Sequence, residues 1–246
     1  MKFSDRVAII TGSAQGIGAA TARAFAQEGA KVVVSDVNEV GGTALVKDIA
    51  AAGGTALFCR ADVGEPDDAT RLVQFTLAHF GRLDVLVNNA GIVHGAEFID
   101  LAVEDFDRVL RVNLRGAFLC AKAAMPLLRA AGGGRIINFC DWVAASGRPR
   151  YKGYVAYYVA KAGVKALTEA LALELAADGI LVNAIAPGPI LAPPDTSDAA
   201  SQAVEQATPL GRWGGSHEIV KAVLALIDSD FITGETLRVD GGRHLA

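Results

Sequence analysis

The 246-residue chain has few of the residues that support several common classes of protein. Its three cysteines, Cys59, Cys120 and Cys140, are too few and too scattered for a disulfide framework. They predict core positions in a reducing compartment, with a reactive thiol as the minority interpretation. Its four histidines share no metal-ligand spacing, so we expect no metal site. Lysine and arginine number 23 against 27 acidic residues, without blocks of like charge, which argues against a nucleic-acid surface.

Long hydrophobic runs are also missing. The N-terminal segment reaches only four clean apolar residues, Val7 to Ile10, before Thr11-Gly12, which is too short for the core of a signal peptide. No apolar run approaches the ~18–20 residues that cross a bilayer. We therefore expect a soluble, cytoplasmic protein with no membrane partner.

Short apolar runs alternate with longer amphipathic segments along the whole chain. Continuous apolar runs of this length are typical of parallel strands buried on both faces, and the alternation with helices is typical of βαβ units. The sequence therefore predicts one domain, residues 1–246, with a doubly wound (Rossmann-type) parallel α/β sheet of about seven strands and helices on both faces. The predicted strands are Val7–Ile10, Lys31–Ser35, Ala56–Cys59, Asp84–Val87, Arg135–Phe139, Ile180–Ile185 and Thr236–Val239. The predicted helices are Gly16–Glu28, Val40–Ala52, Asp67–Phe80, Glu104–Ala130, Tyr154–Ala176 and Ser216–Asp228.

A glycine-rich segment joins the first predicted strand to the first predicted helix. It reads Thr11-Gly12-Ser13-Ala14-Gln15-Gly16-Ile17-Gly18. Glycines at such a position permit a tight turn and let backbone N–H groups approach a pyrophosphate at the positive end of the helix. A turn needs glycine in any case, but the strand–loop–helix context favours nucleotide binding over a plain turn. No Gly-x-x-x-x-Gly-Lys-Ser/Thr segment occurs, which argues against a P-loop triphosphatase.

Polar residues follow the second, third and fourth predicted strands. Asp36 comes eighteen residues after Gly18, where a carboxylate can accept hydrogen bonds from a ribose 2′-hydroxyl and would repel a 2′-phosphate. Asp62 and Val63 are a candidate contact for the adenine edge. Asn88-Asn89-Ala90-Gly91 suits close contact with a cofactor, although an Asn/Gly turn uses the same residues. The acidic Asp36 favours NAD over NADP, and a solvated aspartate at a strand end is the alternative interpretation.

Tyr157 and Lys161 are the sharpest candidate pair. They are four residues apart in a predicted helix, so both side chains lie on one face and within reach of each other. A nearby ammonium favours the phenolate, and we expect it to lower the pKa of Tyr157 from ~10 toward a range useful for acid–base catalysis. Chance placement is the rival explanation, and the strand and loop ahead of the pair favour the catalytic one.

The ordered set of motifs resembles the short-chain dehydrogenase/reductase family over essentially the whole chain. The set consists of Thr11-Gly12-x-x-x-Gly16-x-Gly18, Asn88-Asn89-Ala90-Gly91, Asn113, Tyr157-x-x-x-Lys161, Pro187-Gly188 and Val239-Asp240-Gly241-Gly242. The resemblance implies hydride transfer between a nicotinamide cofactor and a C=O or C=N group of a small molecule.

The same resemblance implies roles for individual residues. Tyr157 would donate or accept the proton, Lys161 would hold the nicotinamide ribose and tune Tyr157, and Asn113 would position a water in a proton relay. Ile190, after Pro187-Gly188, would reach the carboxamide. Leu191–Gln206 would form a mobile substrate lid, at about residues 190–210.

One position departs from the family pattern. The family usually has a serine after the fifth strand that bonds the reacting carbonyl, whereas Cys140-Asp141 follows that strand here, sixteen residues before Tyr157. The simplest alignment puts Asp141 in the serine position with three extra residues in the next loop, as in the pteridine-reductase branch. A capping Asp141, with Ser146 in the pocket, is the alternative. An ionised carboxylate opposes negative charge on a ketone oxygen, so we expect Asp141 to favour substrates with an N–H or a protonatable C=N group.

Other functions compete with this interpretation. The motifs are similar to those of 3-oxoacyl thioester reductases as well. A non-catalytic NAD-binding sensor or scaffold would keep the glycine loop, but the intact Tyr157, Lys161 and Asn113 argue against it. A methyltransferase would give the Tyr-x-x-x-Lys pair no role. The Tyr154–Ala176 helix is apolar around most of its girth and needs a second partner besides its own sheet, and the family resemblance implies a homotetramer.

Overall fold

The computed structural model describes residues 3–246. Within this range the strands are β1 (Val7–Thr11), β2 (Lys31–Asp36), β3 (Thr55–Arg60), β4 (Val85–Asn88), β5 (Gly134–Phe139), β6 (Ile180–Pro187) and β7 (Thr236–Val239). The α-helices are α1 (Gly16–Gln27), α2 (Glu39–Ala51), α3 (Pro66–Phe80), α4 (Val103–Leu110), α5 (Gly116–Ala130), α6 (Trp142–Ala145), α7 (Val155–Leu175), α8 (Asp198–Gln206) and α9 (Ser216–Asp228). No helix within residues 3–246 combines the length and the apolar character needed to cross a membrane.

The seven strands form one parallel sheet in the order β3-β2-β1-β4-β5-β6-β7. Ile9 of β1 lies opposite Val33 of β2 on one side and Leu86 of β4 on the other. The strand order reverses between β1 and β4, so the loops that follow these strands diverge and leave a crevice at the carboxyl edge of the sheet. The predicted doubly wound fold is confirmed.

Helices cover both faces of the sheet, because successive residues of each strand point to opposite sides. On one face, Ile10 and Val34 pack with buried residues of α1, α2 and α9, including Phe25 and Val223. On the other face, Ile9 packs with residues of α3, α5 and α7. Both clusters are apolar and fully buried at their centres, so they hold the carboxyl ends of the strands in fixed positions under the crevice.

The predicted helix Glu104–Ala130 was wrong in one respect. A π-helical turn, Arg111–Arg115, separates α4 from α5 and carries Asn113. The Asn113 side chain donates to the main-chain oxygen of Val109 at 3.0 Å, which occupies the acceptor that an α-helical turn would use. Isolated π-turns are frequent at functional sites. The short helices α6 and α8 were not predicted, and most other boundaries differ from the prediction by one or two residues.

Candidate active site

The glycine loop after β1 folds tightly against the loop after β4. Gly12 has φ +61°, and a Cβ on it would lie 2.6 Å from Ala90 Cα. A Cβ on Gly18 would lie 2.4 Å from the main-chain oxygen of Gly12. Gly16 has φ +59° and faces the open crevice, where its nearest neighbour would be Leu191 at 3.9 Å. A side chain at Gly12 or Gly18 would therefore disturb the contact between the glycine loop and the loop after β4.

The amino terminus of α1 is open to an anion. Gln15 precedes this helix and makes no side-chain capping bond, so the first N–H groups of α1 have no cap from that residue. These groups and the positive end of the helix dipole point to the crevice formed with Gly16. An uncapped helix end behind a glycine loop fits the pyrophosphate of a dinucleotide.

Ser13 and Asn89 brace the glycine loop from inside. The Ser13 hydroxyl donates to the Ile10 oxygen at 2.6 Å and accepts from the Ser35 nitrogen at 3.0 Å. The Asn89 amide donates to the Thr11 and Gly12 oxygens. Ser13 is fully buried, so its side chain supports the loop from behind and does not face the crevice.

The crevice is a groove of about 540 Å³ along the carboxyl edge of β1, β2 and β4. Most of the residues predicted to bind the cofactor line it, namely Gly12, Gln15, Gly16, Ile17, Gly18, Asp36, Asp62, Val63, Asn89, Ala90 and Gly91. Arg108 and Arg111 also line the groove and had no sequence signal, because helix residues far along the chain reach it only in the folded structure. Leu191, predicted as the start of the substrate lid, lines the groove as well.

The two acidic residues of the groove are held by hydrogen bonds. Asp36 accepts from the Ala14 and Asn38 nitrogens, both at 2.9 Å, so its carboxylate faces the glycine loop. Asp62 accepts from Arg111 Nη1 at 3.0 Å, and that same nitrogen donates to Glu65 at 2.6 Å. The Arg111 contacts were not foreseen, and they fix the position of the loop after β3.

Tyr157, Asp141, Lys161 and Asn113 gather around the ends of β4 and β5. The Tyr157 hydroxyl donates to Asp141 Oδ2 at 3.4 Å, and Lys161 Nζ donates to the Phe139 oxygen at 2.7 Å. A Cβ on Gly91 would lie 2.6 Å from Asn113 Oδ1 and 3.5 Å from Lys161 Nζ, so these three residues converge on one point. The structure thus brings together all four residues that the sequence predicted to be catalytic.

The environment of this cluster changes the pKa values of its members. Burial lowers the pKa of Lys161 and raises the pKa of Asp141. Burial first, and then the charge of Asp141, raise the pKa of Tyr157. The lowered pKa expected for Tyr157 was therefore wrong, because loss of hydration and the nearby carboxylate both raise it.

Asp141 and Ser146 occupy different surroundings. Asp141 accepts from the Val143 nitrogen at 2.8 Å, which caps the short helix α6, and its second oxygen reaches Tyr157. Ser146 donates to the Trp142 oxygen at 2.6 Å within its own turn. Asp141 therefore lies next to Tyr157, whereas the Ser146 hydroxyl makes its hydrogen bond within its own turn.

A second cavity, of about 480 Å³, begins at Tyr157 and Asp141. Its walls are mostly apolar and aromatic, and they come from the loops after β4 and α6, the start of α7, the 190–206 segment and Trp213. The lining residues are Val93, Asp141, Val143, Pro149, Arg150, Tyr151, Tyr154, Tyr157, Tyr158, Pro193, Thr196, Ala200, Val204 and Trp213. Sequence reasoning missed the aromatic members, because isolated aromatic residues carry no motif.

Pro187, Gly188 and Ile190, which were predicted to contact the cofactor, also lie outside the groove. Ile190 is buried and lines a neighbouring cavity of about 570 Å³. Pro187 ends β6, and a Cβ on Gly188 would lie 2.5 Å from Asp240 Cα, so this glycine permits the close approach of the segment after β7. Residues 187–190 therefore join β6 to the 190–206 segment.

Metal and thiol chemistry find no support in the described part of the chain. No group of three or more histidine, cysteine, aspartate or glutamate side chains in residues 3–246 is placed to hold a metal ion. The three cysteines are buried and free. Burial raises the pKa of Cys120 to about 12 and also raises the pKa values of Cys59 and Cys140, which argues against an activated thiol.

Comparisons with known proteins agree with this geometry. The family described as enoyl-(acyl carrier protein) reductase matches residues 12–244. The chain is 42% identical to cis-4-hydroxycyclohexanecarboxylate dehydrogenase of Sinomonas cyclohexanicum, over 98% of this chain and 97% of that protein. It is 40% identical to a 3-oxoacyl-(acyl-carrier-protein) reductase of Synechocystis sp., over 98% and 97% of the two chains. It is also 40% identical to cyclohexanol dehydrogenase of Acinetobacter sp., over 98% and 95%.

These matches span nearly the whole chain, and the glycine loop, the Tyr157–Lys161 pair and the seven-stranded sheet occur together in it. The chain belongs to the short-chain dehydrogenase/reductase family and is an NAD(P)-dependent oxidoreductase that transfers a hydride between the nicotinamide and a carbonyl group.

Proposed function

We propose that this oxidoreductase interconverts a cyclic secondary alcohol and its ketone. One observation carries the proposal: the cavity of about 480 Å³ at the Tyr157 hydroxyl has mostly apolar and aromatic walls. Such walls favour a compact hydrocarbon ring over a strongly polar body. Two of the similar proteins are named for alcohols on a cyclohexane ring, which supports the same substrate class.

The proton steps fall to residues of this chain, while a bound nicotinamide supplies or accepts the hydride. Tyr157 gives its proton to the ketone oxygen in reduction and takes it back in alcohol oxidation. Lys161 would hold the nicotinamide ribose, and its Nζ lies near Gly91, as does the Asn113 side chain. The Asn113 side chain is fixed by two hydrogen bonds to Ile92: its Oδ1 accepts from the Ile92 nitrogen and its Nδ2 donates to the Ile92 oxygen. In this proposal Asn113 positions the water that returns protons to Lys161.

Asp141 acts on a ketone as the neutral acid. Hydride addition builds negative charge on the carbonyl oxygen, which a protonated carboxyl stabilises by donating a hydrogen bond. Burial raises the pKa of Asp141, which is the direction that favours the neutral acid. A substrate with an N–H or C=N group, as in a pterin, is the second candidate, because an ionised Asp141 beside the Tyr157 hydroxyl can accept a hydrogen bond from an N–H group.

The cofactor we propose is NAD(H) in preference to NADP(H). Asp36 lines the groove beside the glycine loop and offers carboxylate oxygens to a ribose diol. The same charge would repel a 2′-phosphate, for a discrimination of ~1–3 kcal/mol. Gly12, Gly16 and Gly18 would hold the pyrophosphate, and Asp62 and Val63 the adenine edge.

The segment after Ile190 serves as a substrate lid in this proposal. Pro193, Thr196, Ala200 and Val204 line the substrate cavity from one side. Helix α8 is tied to the rest of the protein by Trp213 Nε1, which donates to Ser201 Oγ at 2.9 Å. A helix attached by few bonds can open and close over a ligand.

We also propose a cytoplasmic homotetramer. Apolar side chains on α5 and α7 remain accessible, with Phe118 43% and Leu173 86% exposed. Exposed apolar residues on long helices favour burial against further copies of the chain. Three free cysteines agree with a reducing compartment.

The experiment is a comparison of NADH oxidation with cyclohexanone, a 3-oxoacyl thioester and a dihydropterin. The proposal predicts the highest kcat/KM for cyclohexanone. Tyr157→Phe should lower kcat by ~10²–10⁴, because it removes only the transferable proton, and NADH affinity should change little. Near-wild-type turnover by Tyr157→Phe would refute the proton-transfer role, and a preference for the thioester or the pterin would refute the substrate class.

A further inference from the structure

The loop between α6 and α7 places a cation in the substrate cavity. Pro149, Arg150 and Tyr151 of this loop line the cavity. Among the described residues that line it, Arg150 alone carries a cationic side chain and Asp141 alone an acidic one. Asp141 is already bound to Tyr157 and Val143, and no ion pair joins Arg150 to any side-chain carboxylate within residues 3–246.

The Arg150 guanidinium is held in place by an aromatic ring and by oxygens of His244 and Ala246. Its Cζ lies 5.6 Å from the centre of the Trp142 ring, and Nη2 donates to the His244 oxygen at 3.1 Å. Nη1 donates to the Ala246 main-chain oxygen. Trp142 is itself buried and meets Tyr151 edge to face, with ring centres 6.1 Å apart. These two bonds use two of the five N–H groups of a guanidinium, which leaves three donors on a residue that lines the cavity.

We propose that Arg150 forms a subsite for a carboxylate carried by the substrate, remote from the reacting carbon. The inference rests on the proposed function and narrows its substrate class to ring ketones and ring alcohols that bear an acid group. A guanidinium stays charged at every accessible pH and matches a carboxylate with two parallel N–H donors.

The charges of the cavity also set the orientation of such a substrate. Arg150 attracts a carboxylate, whereas the Asp141 end of the cavity offers it no positive charge. The acid group is therefore directed to the α6–α7 loop, and the carbonyl is left for the Tyr157 hydroxyl. The aromatic residues between, Tyr151 and Tyr154 among them, contact the ring.

The test compares 4-oxocyclohexanecarboxylate with cyclohexanone in wild type, Arg150→Gln, Arg150→Lys and Arg148→Gln. Glutamine keeps an N–H donor for a main-chain oxygen but loses the charge, and lysine keeps the charge. Arg148 is an exposed cation of the same loop that does not line the cavity, so it is the matched control. We expect Arg150→Gln to lower kcat/KM for the acid about tenfold, mainly through KM, and to affect cyclohexanone far less. Arg150→Lys should retain part of the preference, and Arg148→Gln should leave both substrates unchanged.

Equal losses for both ketones in Arg150→Gln, or no loss for the acid, would overturn the subsite. A binding measurement tests the subsite independently of whether the proposed reaction takes place. Calorimetry with cyclohexanecarboxylate, which has no reacting group, should show binding to the wild type that weakens with salt and in Arg150→Gln. Equal binding of cyclohexanecarboxylate to wild type and Arg150→Gln would overturn the subsite. If the two proteins differ in this binding but wild type reduces neither ketone, the proposed reaction is refuted and the subsite is not.

Discussion

Replacing Asp141 by asparagine should move the pH dependence of alcohol oxidation to lower pH. The carboxylate lies 3.4 Å from the Tyr157 hydroxyl, and its charge contributes to the raised pKa of that tyrosine. Two unit charges at this distance repel by about 5 kcal/mol at an effective dielectric constant of ~20, equivalent to about 3–4 pKa units. Asp141 is only partly buried, and solvent screens part of this repulsion, so we expect a shift of at least about one unit.

Asparagine is the informative replacement because it conserves shape. Its side-chain oxygen can still accept from the Val143 nitrogen and cap α6, while the charge is lost. Asp141→Ser also removes the charge, and Asp141→Glu keeps it, so the first should share the shift and the second should not.

The assay is kcat/KM for cyclohexanol with NAD⁺ as a function of pH. Oxidation needs the Tyr157 phenolate as base, so the rate rises with pH through the pKa of Tyr157. At low pH the carboxyl of Asp141 is neutral, so the pH profiles of kcat/KM for wild type and Asp141→Asn should rise together there. They should diverge as the pH rises through the pKa of Asp141, with the variant reaching its plateau first. Identical rising limbs in the two proteins would refute the coupling between Asp141 and Tyr157.

Three further predictions concern stability, the cofactor and assembly. The pKa of Asp141 is raised in the folded state, so the neutral carboxyl contributes stability at low pH that is lost as the pH rises through that pKa. Asp141→Asn should therefore raise Tm relative to wild type at pH 8 but not at pH 4. A rise in Tm at pH 4 and none at pH 8 would contradict the argument that burial raises this pKa. Asp36→Asn should reduce the ratio of kcat/KM for NADH over NADPH by ~5–150-fold, and a wild-type preference for NADPH would refute the role of Asp36. Light scattering at micromolar concentration should give a tetramer, and a monomer would refute the proposed assembly.

Much of the fold follows from local patterns. β-branched and apolar runs such as Lys31–Ser35 predict buried strands wherever they occur, and Pro66 and Gly81 mark the start and end of α3. The order of glycine loop, Asn-Asn-Ala-Gly and Tyr-x-x-x-Lys was enough to predict the reaction class, which the comparisons confirm. Each of these motifs spans only a few residues, so its backbone conformation and burial depend mainly on residues close by in the chain.

The predictions that failed depended on surroundings that no local pattern describes. Helical spacing placed Lys161 near Tyr157 but carried no information about the burial that raises the pKa of Tyr157, or about Asp141, whose charge adds to that increase. The π-helical turn at Asn113 arises because the side chain competes for the Val109 oxygen and reaches across to Ile92 in another loop.

The sequence by itself determined the alternation of strands and helices, the glycine loop and the pairing of Tyr157 with Lys161, because each depends on residues close together in the chain. Only the tertiary structure decided that Asp141 meets Tyr157, that Ser13 faces inward, and that Arg150 lines an aromatic cavity. The physical reason is that these contacts join loops at the ends of different strands. Their positions are set by the packing of the whole sheet and its two helical layers, which brings together residues far apart in the chain.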